Sequence, residues 1–157
     1  MKLVILGKGG QGVLFFSKIL AQMALNEGRS VKATEIKGMA KKGGVVEVQM
    51  KIDEGLSPLI KRGEADLVIL LSPDLEEYGK TFGKKILKFS EEEIKKAFEQ
   101  VPQRLVNTYL LGILLARHQI FNKNTALKVL DEENKKSFLR GYEDGEKNVQ
   151  SQDGDLT

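Results

Sequence analysis

The chain has 157 residues, of which 41% are hydrophobic and 30% are charged, and this is the composition of one folded globular domain. It has no cysteine and a single histidine, which excludes a disulfide, a thiolate nucleophile and a cysteine-ligated metal centre within this chain. The net charge of +3 comes from 25 basic and 22 acidic residues that are mostly interspersed, which is not the signature of a nucleic-acid-binding protein. With no apolar run of membrane-spanning length and no signal-peptide pattern, we expect a cytoplasmic protein without membrane or nucleic-acid partners.

The first predicted elements are a short apolar strand over residues 2–6 and a helix over residues 13–27, which Gly28 ends. The polar side chains Lys18, Gln22 and Asn26 recur every four residues along this helix. We therefore expect one narrow stripe of the helix to face water and the rest to be buried.

Gly7, Gly9 and Gly12 lie between this strand and helix with the spacing G-x-G-x-x-G. Glycines there allow a tight turn and close approach of a ligand, while the first amides of the helix point toward an anion. Glu35 follows at the position where a Rossmann domain keeps its ribose-binding acid. The pattern is compatible with a nucleotide site, and also with a tight strand-to-helix turn that only packs against its surroundings.

The next two predicted strands, over residues 30–36 and 45–52, are separated only by residues 37–44. A parallel connection needs a crossover of about a dozen residues or more, so neighbouring strands joined in this way must run antiparallel. We therefore predict a mixed sheet, which departs from the topology of a Rossmann dinucleotide site. Alternation in the strand over residues 45–52 predicts a more solvent-exposed, wetter face formed by Val45, Glu47, Gln49 and Lys51.

The segment between these strands is a second glycine-bearing loop, and it carries Lys41 and Lys42. Because both glycine loops leave strand ends, we expect them at one edge of the sheet, where exposed backbone and positive charge suit an anionic ligand or a partner chain. Ordinary solvated loops would account for the lysines as well. The candidate binding residues are Gly7, Gly9, Gly10, Gln11, Gly12, Lys42, Gly43 and Gly44.

The rest of the chain predicts two more strands followed by helices. The strands cover residues 66–71 and 85–89, and the helices cover residues 91–99, 107–121, 125–130 and 132–147. The first of these helices begins with a capping-box pattern at Ser90. We expect a single three-layer α/β domain over residues 1–148, with a mixed sheet flanked by helices, and a frayed polar tail over residues 149–157.

Taken together, these motifs resemble the gamma subunit, or gamma domain, of 2-oxoacid:ferredoxin oxidoreductases. The first loop, Gly7-Lys8-Gly9-Gly10-Gln11-Gly12, is similar to the family's opening G-x-G-G-Q-G. Residues 35–44 are similar to the G-M-A-x-R-G-G loop in the beta chain of indolepyruvate oxidoreductase. The two C-terminal helices of the family are matched by Asn107, Leu111 and Gly112, and by Asn134, Phe138, Gly141 and Tyr142. Lys42 stands where the family usually has arginine, and the segment over residues 83–105 is shorter than usual.

The resemblance implies a subunit of an oxidoreductase that acts on indolepyruvate, pyruvate or a related 2-oxoacid. In such enzymes a partner chain holds thiamine diphosphate with magnesium, iron–sulfur clusters carry electrons to ferredoxin, and coenzyme A accepts the acyl group. This chain is then expected to hold no catalytic residue, metal, thiamine diphosphate or cluster of its own, and to be inactive alone, while contact with coenzyme A stays open. The alternatives are a stand-alone binding module for a nucleotide-like anion such as coenzyme A, and a non-catalytic regulatory or scaffolding paralogue, which the short segment over residues 83–105 would suit.

Overall fold

A computed structural model describes residues 1–36 and 44–155 and divides the chain into two compact units. The sheet unit is Met1–Ser90 and the helical unit is Glu91–Thr157. The described strands are β1 (Lys2–Lys8), β2 (Val31–Ile36), β3 (Val45–Ile52), β4 (Leu67–Leu70) and β5 (Ile86–Lys88). The described helices are α1 (Val13–Asn26), α2 (Glu76–Lys80), α3 (Glu91–Gln100), α4 (Val106–Arg117), α5 (Lys123–Val129) and α6 (Glu132–Asp155). A single domain over residues 1–148 stays a prediction.

The five described strands form one mixed sheet in the order β2-β3-β1-β4-β5. β3 runs antiparallel to both of its neighbours, while β1, β4 and β5 run parallel to one another. Lys8 at the end of β1 lies opposite Val45 at the start of β3. The predicted mixed sheet and the antiparallel pairing of β2 with β3 are therefore confirmed.

Within the sheet unit, α1 and α2 cover opposite faces of the sheet. Gly7 shares the face of Leu3 and Ile5, and a Cβ placed on it would meet Val13 at the start of α1. On the other face, Gly79 of α2 lies against the side chains of Leu6, Val68 and Leu70. The predicted flanking of a mixed sheet by helices is confirmed, and each face has its own apolar core.

The face of β3 that the alternation predicts to be wetter is buried at its centre. Glu47 and Gln49 are only 5% and 4% exposed, so the expectation for these two residues is wrong. Alternation indicates which residues share a face but not what covers that face. Here residues 57–82 cover it, with Ile60 and Tyr78 in contact with Gln49 and Glu47.

A 3₁₀ turn and a short helix follow β4, and the elements predicted from the sequence include neither. Pro73–Leu75 is the 3₁₀ turn, and it leads directly into α2. Proline at the first position and acidic residues in the first turn are typical signals of a helix start. α2 has only five residues, which is too short for helical periodicity to show.

The helices of the helical unit differ from their predicted bounds by more than two residues at two ends, the last residues of α4 and α6. α4 ends at Arg117 rather than at residue 121, because His118 adopts an extended backbone and Asn122 caps the next helix. α6 continues through Asp155, so helical backbone runs through most of the segment predicted to be a frayed tail.

Glycines bring α4 and α6 into backbone contact. A Cβ on Gly112 would overlap the carbonyl oxygen of Phe138, and a Cβ on Gly145 would lie 2.9 Å from the Cα of Ile113. The fully buried Tyr109 donates its hydroxyl hydrogen to Asp144 across this interface. Burial, assisted by the Asp144 carboxylate, raises the pKa of Tyr109 above its ordinary value, so the phenol is a structural donor.

Candidate functional site

Three loop segments meet at one edge of the sheet, and we call residues 8–12, 44–45 and 72–75 the glycine edge. β1 and β4 run parallel, so both carboxyl ends point to this edge. β3 is antiparallel to β1, so its amino end lies beside them. The mixed topology therefore brings the first glycine loop, the end of the second loop and the turn after β4 together.

The first glycine loop is closed by reciprocal hydrogen bonds between Lys8 and Gln11. The amide of Lys8 donates to Oε1 of Gln11 at 2.7 Å, and the amide of Gln11 donates to the carbonyl of Lys8 at 3.1 Å. The side-chain oxygen of Gln11 is thus occupied within the loop. Gln11 thus closes the turn, and its predicted role as a binding residue stays a prediction.

The glycines of this loop serve different purposes. Gly10 and Gly12 have φ values of 86° and 72°, a left-handed backbone that favours glycine. A Cβ on Gly7 would come within 2.5 Å of Cγ2 of Val13, so Gly7 permits close packing of α1 on the sheet. A Cβ on Gly9 would lie 3.6 Å from the carbonyl oxygen of Gly44, which is ordinary contact.

The two glycine loops are joined by a backbone hydrogen bond, in which the amide of Gly9 donates to the carbonyl of Gly44. Gly44 itself has a φ of 100°. The structure therefore places Gly9 and Gly44 side by side. Lys42 and Gly43, also predicted as binding residues, lie outside the described residues.

The turn after β4 contributes two residues that the sequence prediction missed. The ammonium group of Lys8 forms an ion pair with Asp74, and the hydroxyl of Ser72 donates to the other oxygen of that carboxylate. The hydrogen bond from Lys8, followed by that from Ser72, lowers the pKa of Asp74 below its ordinary value. The only signal for them in the sequence is a polar Ser-Pro-Asp segment directly after a buried strand.

A buried polar network fixes α2 on the sheet beside the glycine edge. Tyr78 donates its hydroxyl hydrogen to Oε1 of Glu47 at 2.6 Å, and Gln49 donates to Oε2 at 2.7 Å. Oε1 of Gln49 accepts the amide hydrogen of Ile60 at 2.7 Å. Burial, assisted by Glu47, raises the pKa of Tyr78. Because each partner is satisfied, this network stabilises packing and presents no reactive group.

In the part of the chain that the structure describes, no cluster of three or more histidine and carboxylate side chains could hold a metal ion. No helix in that part combines the length and apolar character needed to cross a bilayer.

The chain belongs to the pyruvate ferredoxin/flavodoxin oxidoreductase family, whose model matches residues 2–88. The match includes both glycine loops and runs from β1 through β5. The resemblance found in the sequence motifs is confirmed.

Two of its relatives show how far the sequence similarity extends. The indolepyruvate oxidoreductase subunit IorB of Archaeoglobus fulgidus is 41% identical over 88 residues, which are 55% of this chain and 44% of that protein. The pyruvate/ketoisovalerate oxidoreductases common subunit gamma of Pyrococcus abyssi is 39% identical over 74 residues, which are 45% of this chain and 39% of that protein. The similar region thus spans less than half the length of each relative.

Solved structures share the fold over most of the chain. The gamma subunit of a keto/oxoacid ferredoxin oxidoreductase from Geobacter sulfurreducens superimposes with a TM-score of 0.67 at 20% identity, covering 92% of this chain and 97% of that one. The 2-oxoglutarate:ferredoxin oxidoreductase from Magnetococcus marinus gives a TM-score of 0.69 at 18% identity, covering 96% of this chain and 31% of that one. The predicted gamma-subunit fold is confirmed.

Proposed function

We propose that the chain is a subunit of a 2-oxoacid:ferredoxin oxidoreductase of the indolepyruvate or pyruvate type. It contributes the glycine edge near the active site and takes part in subunit assembly, while a partner chain holds thiamine diphosphate, magnesium and the iron–sulfur clusters. The observation that carries this proposal is the family match over residues 2–88, which contains all three segments of the glycine edge.

The side chains of the glycine edge support a positioning role rather than a catalytic one. The carboxylate of Asp74 is already held by Lys8 and Ser72, and the amide oxygen of Gln11 accepts a hydrogen bond inside its own loop. The chain has no cysteine with which to ligate a cluster. We therefore assign the acid–base and redox chemistry to the partner chain, through which ferredoxin is reached.

Exposed apolar side chains next to the glycine edge support association with that partner. Leu14 and Phe15 lie in the first turn of α1, directly after the glycine loop, and are 52% and 41% exposed. The expectation that α1 is buried outside the stripe of Lys18, Gln22 and Asn26 is therefore wrong for these two residues. Large apolar side chains beside a functional loop are typical of a protein–protein interface.

The alternative function is a stand-alone binding module for a nucleotide-like anion such as coenzyme A. It is favoured by the position of Gly12, which precedes α1 in a left-handed conformation and has no side chain that could cap the helix. The first amides of a helix have no acceptor within the helix and can bind an anion. In the complex that we propose, coenzyme A could contact the same amides.

Affinity capture tests the proposed assembly. The full chain, tagged and expressed in its native host, is expected to retain a protein that carries thiamine diphosphate and iron–sulfur clusters, identified by mass spectrometry and by its absorption spectrum. Gly9→Val, which adds methyl groups between the two glycine loops, is expected to reduce capture about tenfold, equivalent to about 1.4 kcal/mol of binding free energy. Gln22→Val, on the exposed side of α1, is the matched control.

Two results would contradict the assembly. One is that no thiamine-bearing protein is retained by the wild-type chain, while the isolated chain binds coenzyme A in a calorimetric titration, which would favour the alternative. The other is equal capture by the wild type and by Gly9→Val, which would remove the glycine edge from the interface.

A further inference from the structure

The ion pair between Lys8 and Asp74 joins two loops that are 66 residues apart in sequence. Asp74 lies in the 3₁₀ turn Pro73–Leu75, where the proline ring restricts the backbone. The hydroxyl of Ser72, a residue that is only 5% exposed, holds one carboxylate oxygen. The position of the Asp74 carboxylate is therefore set by its own turn, and its charge in turn restricts the long side chain of Lys8.

The contacts that restrict Lys8 also restrict the first glycine loop. The backbone of Lys8 exchanges hydrogen bonds with Gln11, and the next residue, Gly9, donates to Gly44. Residues 9–12 contain three glycines and so have little conformational preference of their own. Their conformation depends on these few anchoring contacts, among which the ion pair connects the loop to the turn after β4.

We propose that Asp74 is a positioning residue, which through Lys8 holds the first glycine loop in the conformation that the partner subunit recognises. The inference rests on the proposed function for its partner, but its first step concerns this chain alone. An exposed ion pair contributes little to global stability, so the effect is expected in the loop and in association rather than in the unfolding temperature.

A second ion pair in the same unit provides the control. Glu76 at the start of α2 pairs with Lys88 of β5 at 2.8 Å, and the hydrogen bond from Lys88 lowers the pKa of Glu76. The two lysine side chains are equally exposed, at 49%. The Glu76–Lys88 pair does not involve the glycine loop, so Glu76→Gln removes a comparable ion pair without releasing Lys8.

The first measurement is amide hydrogen exchange of the full chain by NMR, at Gly9 and Gln11, whose amides are hydrogen-bonded in the loop. Asp74→Asn is expected to accelerate their exchange about two- to fivefold, as the loss of an exposed ion pair implies, and Asp74→Glu is expected to restore most of the protection. High salt should accelerate exchange in the wild type toward that of Asp74→Asn, because the ion pair is screened. Glu76→Gln should leave both amides unchanged.

The second measurement is the affinity of the same variants for the captured partner subunit. Asp74→Asn is expected to weaken association about two- to fivefold with an unchanged unfolding temperature, while Glu76→Gln binds as the wild type does. Unchanged exchange in Asp74→Asn would overturn the positioning role whether or not a partner is found. Faster amide exchange in Asp74→Asn with unchanged affinity for the partner subunit would show that the loop conformation held by Asp74 does not matter for recognition by the partner. A wild-type chain that binds no partner would instead count against the proposed function.

Discussion

Replacing Gly141 by alanine is expected to destabilise the helical unit by about 3 kcal/mol, because a larger residue cannot be accommodated between packed backbones without shifting them. A Cβ on Gly141 would overlap the carbonyl oxygen of Tyr109 and lie 3.0 Å from the Cα of Tyr109. Intrinsic helix propensity predicts the opposite sign, since alanine is favoured over glycine by about 1 kcal/mol inside a helix. The sign of the effect therefore reports the contact between α4 and α6.

Urea unfolding of the full chain, followed by far-ultraviolet circular dichroism, measures this effect. Glu146→Ala, at an exposed position of α6, is the control and is expected to change the free energy of unfolding by less than about 0.5 kcal/mol. Gly112→Ala should resemble Gly141→Ala. A Gly141→Ala chain as stable as the wild type, or more stable, would show that α4 and α6 are not in backbone contact.

The second large effect is expected at Gly7, and it separates packing from function in the glycine motif. Gly7→Ala should destabilise the sheet unit by about 1–3 kcal/mol, because the new methyl group meets Val13, lies 3.1 Å from Oε1 of Gln11 and 3.3 Å from Cβ of Leu71. Gly9→Ala has ordinary space and no left-handed backbone, so its stability should stay within about 0.5 kcal/mol of the wild type.

Thermal unfolding of the two alanine variants measures the role of each glycine in packing, and capture of the partner chain measures its role in association. We expect Gly7→Ala to lose stability, and Gly9→Ala to unfold like the wild type. Equal unfolding temperatures for Gly7→Ala and the wild type would contradict the close packing of α1 on β1. A strongly destabilised Gly9→Ala would mean that this glycine also serves packing.

The elements that sequence reasoning predicted well are those specified by local patterns. The bounds of β3 coincide with the predicted strand because alternation is regular from Val45 to Ile52. α1 ends within one residue of its predicted end, because Gly28 follows closely and stops the helix. The antiparallel direction of β2 and β3 followed from the shortness of the connection alone.

Features that depend on contacts between distant segments could not be predicted from the sequence. The buried state of Glu47 requires Tyr78, which lies 31 residues further along the chain. The pairing of Lys8 with Asp74 depends on β1 and β4 being parallel neighbours. Lysine in a glycine loop predicts an exposed charge, and only the tertiary structure shows that Lys8 forms an ion pair with the carboxylate of Asp74.

The proposed dependence of this chain on a complex is tested by reconstituted turnover. The purified chain, the partner chain that holds thiamine diphosphate and the clusters, and their equimolar mixture are each supplied with a 2-oxoacid, coenzyme A and an artificial electron acceptor, and reduction of the acceptor is followed. We predict no turnover by this chain alone, little by the partner alone, and full turnover by the mixture. Turnover by this chain alone, or full turnover by the partner without it, would show that the active chain does not depend on the other.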